Sequence, residues 1–344
     1  MKKNSVSKYD DFGNLVSSKY SASIQGRFSV APMLNWTDRH CRFFLRLFSR
    51  QALLYTEMLS ANTLLLSKND HLVYNNEEHP ISLQVGSREP KILARCAKLA
   101  EERGYDEINL NVGCPSNRMK KGFFGAYLMN EKEQVANCVS AMREAVNLPI
   151  TVKTRIGIDE NDSYSFLSEF VDTVSTKGGC KTFVIHARKA YLNGFSPKKN
   201  REIPPLNYER VYKLKQDFPS IRFVLNGGIV NLYDALQHLR KCDGVMIGRE
   251  VYRNPSILMK VDSIFFGKLD PVTNRKEIFE KILPYIDNEL SQGTSLNHIT
   301  RHMLGLFQGL PGAGHWRRYL SEHAHRPGAG INILVQALSE QLLI

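Results

Sequence analysis

The sequence predicts a (β/α)8 TIM barrel, an α/β fold, followed by a small all-helical domain, and three observations carry that prediction. Between about residues 25 and 267, eight short apolar runs alternate with helical stretches, the rhythm of a parallel sheet covered by helices. Polar residues stand at the carboxyl ends of those runs: Gln84, Asn111, Lys153, His186, Asn226 and Arg249. Closing eight strands into a barrel gathers such residues around one mouth, where active sites of this fold lie. Past Gly267, four helix-like segments follow with no strand between them. The expected organisation is a polar leader over 1–24, a catalytic barrel over 25–267 and a helical domain over 268–344.

The elements follow in order. Strand one, 28–33, is stopped by Pro32, and Thr37 is expected to cap a helix with Phe43, Phe44, Leu45, Leu47 and Phe48 on its apolar side. Strand two is 53–58 and strand three 80–85. The helix over 90–104 puts Ile92, Leu93, Ala97 and Ala100 on one face, with Gly104 as its stop. Strand four is 107–112, and a helix over 131–146 leads to strand five, 149–154, rich in β-branched residues. A helix over 164–177 ends at Gly178 and Gly179, and strand six is 181–186. A helix over 208–218, strand seven over 221–225, a helix over 232–240 and strand eight over 244–247 complete the barrel. The segments 275–290, 296–307, 315–325 and 329–342 form the helical domain.

Composition narrows the function. A net charge of +12 over 344 residues favours a polyanion, nucleic acid before membrane. The six cysteines show no CxxC pair or Cys/His cluster, which argues against structural zinc and a disulfide scaffold and suits reduced thiols in the cytoplasm; no metal is expected. The amino terminus lacks the apolar core of a signal peptide, and no apolar run is long enough to span a bilayer.

The stretch Asn109-Leu-Asn-Val-Gly-Cys-Pro-Ser116 organises the chain. Apolar residues alternate with asparagines and give way to Gly113, Cys114 and Pro115, the pattern of a buried strand ending in a loop. A lone cysteine is most often a small buried hydrophobe; here it sits in a turn with Arg118, Lys120 and Lys121 after it, and nearby positive charge tunes a thiol and attracts phosphates. The loop over 187–206 interleaves Arg188, Lys189, Lys198, Lys199 and Arg201 with Tyr191 and Phe195, suited to phosphates and bases. Arg301 and Arg317 lie in the helical domain where acids are few; a solvated face and a nucleic-acid clamp both explain them. The glycines of Asn226-Gly227-Gly228 and Gly248-Arg249 end the last two barrel units, where barrels commonly bind phosphate. Neither a GxGxxG nor a GxxxxGK[ST] loop is present. A phosphate-bearing cofactor with a flat ring, such as a flavin, suits this mouth, with Gln84 at its pyrimidine edge and Lys153 stabilising negative charge.

These motifs, with Ala31-Pro-Met33, Val152-Lys-Thr-Arg-Ile-Gly157, His186-Ala-Arg188 and Thr300-Arg-His-Met-Leu-Gly-Leu-Phe-Gln-Gly309, resemble those of the tRNA-dihydrouridine synthases. Ser196-Pro-Lys198 through Pro204-Pro205 and Trp316-Arg-Arg-Tyr-Leu-Ser-Glu322 are similar to the synthase A subfamily. The resemblance covers about residues 25 to 335. It implies FMN as cofactor, NADPH as reductant and D-loop uridines of tRNA, positions 20 and 20a, as substrate. By it, Pro32, Met33, Leu34, Gln84, Lys153, His186, Asn226, Gly227, Gly228, Gly248 and Arg249 bind the flavin. Cys114 is the general acid, and Asn111, Lys198, Arg201 and Arg317 contact tRNA, to which position and charge add Arg188 and Arg301. Gly314 stands where related sequences carry an arginine. A monomer with no obligate protein partner is expected. Rival readings remain: a flavin barrel reducing a small molecule, like dihydroorotate dehydrogenase, leaves the charge unused. A tRNA-binding protein without catalysis leaves Cys114, Lys153 and His186 unexplained, and a non-redox phosphate-binding barrel is a third possibility.

Overall fold

The computed structural model describes residues 26–116 and 124–342. The leader expected over 1–24, and Arg118, Lys120 and Lys121, lie outside the described residues. Eight strands form the barrel: β1 Phe28–Val30, β2 Leu53–Tyr55, β3 Ile81–Gly86, β4 Glu107–Asn111, β5 Ile150–Arg155, β6 Thr182–His186, β7 Arg222–Asn226 and β8 Gly244–Ile247. Every neighbouring pair is parallel, and the sheet closes because β1 lies beside β8 and β2 pairs with β3, with Leu54 opposite Ile81. A two-residue strand, Leu59–Ser60, pairs with the upper end of β3.

Period-two alternation decides what faces the barrel interior. On β4, Ile108 and Leu110 belong to the continuous outer core beneath the helices, while the intervening Glu107, Asn109 and Asn111 share the inward face. The interior is therefore divided. Ala31, Leu53, Tyr55, Val184, Val224 and Met246 make an apolar cluster of their own, whereas β3, β4 and β5 contribute buried Ser82, Gln84, Glu107, Asn109, Asn111 and Thr151.

The barrel helices are α1 Arg39–Arg46, α2 Ala61–Leu66, α3 Pro90–Glu102, α4 Lys132–Ala145, α5 Tyr164–Thr176, α6 Tyr208–Asp217, α7 Leu232–Leu239, α8 Arg249–Arg253 and α9 Val261–Phe266. The cap of α1 is Asp38, not Thr37: Asp38 accepts from the Cys41 N–H at 3.0 Å, and the Thr37 hydroxyl is taken up in a turn, accepting from Met33 N–H at 2.9 Å. Gln84 lies deeper than its expected place at a strand end, because β3 runs on to Gly86. Arg249 opens α8 instead of ending a strand.

Four helices follow: α10 Arg275–Ser291, α11 Leu296–Thr300, α12 Ala313–His323 and α13 Ile331–Leu342. The helix expected over 296–307 stops at Thr300 and continues as turns. Gly305 gives a physical reason: a Cβ there would collide with the Arg253 carbonyl, so backbone packs on backbone where a regular helix would hold side chains off. The buried Trp316 indole donates to the Met303 carbonyl at 3.0 Å, satisfying an acceptor in those turns. These helices share one continuous core with the barrel's outer layer, including Ile278, Ile282, Met303, Leu306 and Trp316.

The junction also carries polar contacts. Phe43 stacks on Tyr285 with ring centroids 3.8 Å apart, and Tyr285 OH meets His40 Nδ1 at 2.7 Å. Glu289 pairs with Arg39. Asp38, besides capping α1, accepts from Arg301 and from His302 Nε2, the latter at 3.0 Å. Burial pushes the Asp38 carboxyl up, but His302, the Cys41 N–H and Arg301 together outweigh it and hold it below the usual carboxylate range.

Candidate active site at the barrel mouth

Cys114 lies in the loop leaving β4, half-buried, while the other five cysteines are fully buried. Its loop is tied down by Asn111, whose Oδ1 accepts from the N–H groups of Gly113 and Cys114 at 3.1 and 3.0 Å. The Cys114 carbonyl accepts from Ala126 N–H at 2.9 Å. A thiol on a loop held this way has a fixed position at the opening.

Lys153 reaches into the same opening from β5 and donates to Asn226 Oδ1 at 3.1 Å, while Asn226 Nδ2 donates to the Met246 carbonyl at 2.8 Å. Burial, followed by the charge of Arg155, brings the Lys153 ammonium down to about 7. His186 ends β6; burial and then the charges of Arg155, Lys153, Arg188 and Arg201 hold it well below its ordinary value, so its ring is neutral at physiological pH. Its Nδ1 is buried with no hydrogen-bond partner among the described residues.

The His186 ring packs beside Gly227, and Gly228 adopts φ +74°, where a side chain would collide with Leu206 and the Tyr208 hydroxyl. Only glycine gives this left-handed turn without strain. The end of β8 lies against the end of β1, since a Cβ on Gly248 would stand 3.3 Å from that of Ala31 and 3.6 Å from Met33 Sδ. Pro32, Met33, Gly227, Gly228 and Gly248 are thus brought to one rim, with Leu34 turned largely to solvent.

The loop over 187–206 crosses the opening and is more ordered than a long loop need be. Buried Asn200 accepts from Tyr191 N–H at 2.7 Å and donates to the carbonyls of Tyr191 and Phe195. Arg188 donates to the carbonyls of Glu202 and Pro204. Arg201 is half-buried with its Nε unpartnered among the described residues, and Arg249 pairs with Glu202 at 2.9 Å. Lys198 is exposed. Arg317 is exposed on α12 and donates to Gln308 Oε1 at 2.7 Å. Arg301 is committed to Asp38 and so joins the C-terminal helices to the barrel.

Arg155 escaped the sequence reading as a site residue. Fully enclosed, it donates to the carbonyls of Gly113, Lys189 and Asn200 at 2.8, 3.1 and 3.1 Å, bolting the loops after β4 and β6 together. The signal was available: Arg155 stands two residues after Lys153 on a strand and therefore shares its inward face. Cys114 lies within electrostatic reach of Lys153, Arg155 and Arg201.

A barrel whose mouth joins a positioned thiol, a buried lysine, a neutral histidine and glycine turns among arginines has the features of an enzyme's active site. Comparison with known proteins makes this specific. The profile of the dihydrouridine synthases matches residues 29–342, so the chain belongs to the dihydrouridine synthase family, a family of oxidoreductases. It is 62% identical over 313 residues to the tRNA-dihydrouridine(20/20a) synthase of Escherichia coli K12, covering 91% of each chain. The protein of the same name from Vibrio cholerae is 60% identical over 314 residues, 91% of this chain and 96% of that one. The Yersinia pestis protein is 59% identical over 313 residues, 91% of each. A solved structure of morphinone reductase in complex with tetrahydroNAD matches 73% of this chain and 90% of its own at 11% identity and a TM-score of 0.47, too distant to bear on substrate or cofactor.

Proposed function

We propose that this protein reduces the C5=C6 bond of D-loop uridines in tRNA, at positions 20 and 20a, with FMN as cofactor and NADPH as reductant. The observation that carries the reading is Cys114, held on a rigid loop over a mouth where Lys153, His186, Asn226, Gly227, Gly228 and Arg249 converge. The residues fit a flavin phosphate: an unpartnered buried His186 Nδ1, glycine turns with no room for side chains, and surrounding arginines. Pro32, Met33, Leu34, Gln84 and Gly248 complete the set that would hold it. When bound, FMN supplies the hydride for uracil C6.

The chain's own residues do the rest. Cys114 delivers its Sγ proton to C5 as negative charge develops on the ring, and the thiolate regains a proton from solvent. Lys153 would meet the negative charge of the reduced cofactor, and Arg155 holds the loops after β4 and β6 together around it. Asn111 positions the thiol. The base must leave its stack to reach the mouth, because it lies inside a folded RNA. Arg188, Lys198, Arg201 and Arg317 neutralise phosphates on either side of the opening. Residues 268–344 act as the RNA-binding part, with Arg301 supporting it through Asp38.

The protein works as a cytoplasmic monomer in this reading; no described helix is long and apolar enough to cross a membrane. The test is to purify the protein and map dihydrouridine in tRNA from cells with and without its gene. Flavin absorbance and loss of dihydrouridine at 20 and 20a are expected. A colourless protein that takes up no flavin, or unchanged tRNA, would refute the proposal.

A further inference from the structure

The polar half of the barrel interior contains an ordered chain of side-chain hydrogen bonds. The strand register stacks it in layers: Ser82 opposite Glu107, Gln84 opposite Asn109 and Asn109 opposite Thr151. At the lower end, Glu107 Oε1 accepts from Tyr55, Ser82 and Thr151 hydroxyls at 2.7, 2.8 and 2.9 Å. Burial pushes the Glu107 carboxyl up, and the three hydroxyl donors converging on one oxygen oppose that push and favour the ionised form. The Thr151 proton is thereby spent, so its oxygen accepts from Asn109 Nδ2 at 2.8 Å. Asn109 Oδ1 then accepts from Gln84 Nε2 at 2.8 Å, and Gln84 Oε1 from Asn111 Nδ2 at 2.8 Å. Asn111 Oδ1 is left for the N–H groups of Gly113 and Cys114.

Amide orientation is ordinarily an assignment, but here the two ends of the chain set its polarity: two backbone N–H groups at the top, and at the bottom a carboxyl oxygen already met by three hydroxyls. A backbone N–H only donates and a carboxylate only accepts. Turning any one amide sets donor against donor or oxygen against oxygen at its neighbours, so all three must turn together. Doing so would place the Asn111 NH2 against two backbone N–H groups at the top and the Asn109 oxygen against Thr151 at the bottom. The facing half of the interior is the apolar cluster of Ala31, Leu53, Tyr55, Val184, Val224 and Met246, whose one side-chain hydrogen-bonding group, the Tyr55 hydroxyl, is spent on Glu107.

We infer that Glu107, Thr151 and Asn109 are positioning residues: through a one-way chain of amides from the floor of the barrel, they set the orientation of Gln84 and Asn111 and thereby hold the Cys114 loop. The role of that loop in proton delivery rests on the function proposed above. The orientation itself does not, and its test is chosen accordingly.

The experiment compares flavin-loaded wild-type protein with Thr151→Val, Thr151→Ser and Asn109→Asp. Thr151→Val keeps the side-chain shape and removes the hydroxyl; Thr151→Ser keeps the hydroxyl; Asn109→Asp removes the donor to Thr151. In Thr151→Val and Asn109→Asp, exchange of the Gly113 and Cys114 amide hydrogens should accelerate about tenfold, with other barrel strands still protected. The iodoacetamide alkylation rate of Cys114 should change several-fold, with the five buried cysteines silent as a control on folding. The kcat for tRNA reduction should fall about tenfold with KM unchanged, and Thr151→Ser should behave as wild type. The relay is overturned if Thr151→Val and Asn109→Asp leave amide exchange and alkylation unchanged, or if Thr151→Ser is as impaired as Thr151→Val. Altered exchange and alkylation in a protein that makes no dihydrouridine would instead keep the relay and sink the proposed reaction.

Discussion

At the barrel mouth Lys153, Asn111 and Arg155 are each held by neighbours, whereas the cations of the C-terminal helices divide into those that build the junction and those exposed at the surface. Lys153 is bonded to Asn226, Asn111 to Gln84 and two backbone amides, and Arg155 to three carbonyls. On the helices, Arg301 is spent on Asp38, but Arg317, Arg318 and Arg326 are exposed. The difference suits the two tasks proposed above for these regions. Chemistry at one bond needs groups preorganised to fractions of an ångström, because reorganising them during reaction costs rate. Attraction to a phosphate backbone falls slowly with distance and tolerates mobile side chains.

The sharpest way to break the comparison is at Cys114. Cys114→Ala should lower tRNA reduction by roughly 10² to 10⁴ while leaving NADPH oxidation by an artificial acceptor intact, as followed by dihydrouridine yield and by absorbance. A loss of both would place Cys114 in cofactor binding.

Next in size is the junction. Asp38→Ala removes a helix cap and the acceptor for Arg301 and His302, and should destabilise the protein by about 2 to 3 kcal/mol in denaturant unfolding. Because the folded carboxyl is depressed, its contribution is fully present above the ordinary value of 3.8 and is lost as pH falls below it. The variant should therefore show a weaker loss of stability in acid than wild type.

Lys153 gives a subtler handle. With its ammonium at about 7 in the ligand-free protein, contact with an anion should return it to the charged state. Reduction of the bound flavin, which brings negative charge to the ring beside Lys153, should then be accompanied near pH 8 by proton uptake at that lysine, measured by the pH dependence of the flavin potential, and Lys153→Met should abolish it. Stability of the flavin-free protein should rise with pH above about 7, since the unfolded chain keeps that proton longer.

The smallest effects concern the exposed cations. Arg317→Gln should reduce the slope of log affinity for tRNA against log salt by roughly 0.7 to 1. Gly314→Arg should do the reverse; a Cβ there meets no atom within 4 Å, so the side chain is admitted without strain. Replacing glycine within α12 should also add roughly 0.5 to 1 kcal/mol of stability.

Much of this was legible in the sequence for a definite reason. Apolar runs alternating with helices specify eight strands, and strand ends specify the mouth, so Lys153, His186, Asn226 and Cys114 could be placed together before any coordinates. What period and spacing do not carry is partnership across the barrel. The Glu107-to-Asn111 ladder depends on strand register, which sets Asn109 beside both Gln84 and Thr151. The commitment of Arg301 to Asp38 joins residues 263 positions apart, and composition treats that arginine like Arg317. The end of α11 at Thr300 was hidden because Gly305 meets its reason only against Arg253.

The most direct test of the division between the barrel mouth and the C-terminal helices is single-turnover reduction of tRNA by pre-reduced protein, followed across tRNA concentration for wild type, Cys114→Ala and Arg317→Gln. Cys114→Ala should be slow at every concentration, its plateau lowered by at least about 10². Arg317→Gln should reach the wild-type plateau at higher tRNA concentration. A normal plateau for Cys114→Ala, or a lowered plateau with unchanged half-saturation for Arg317→Gln, would contradict the account.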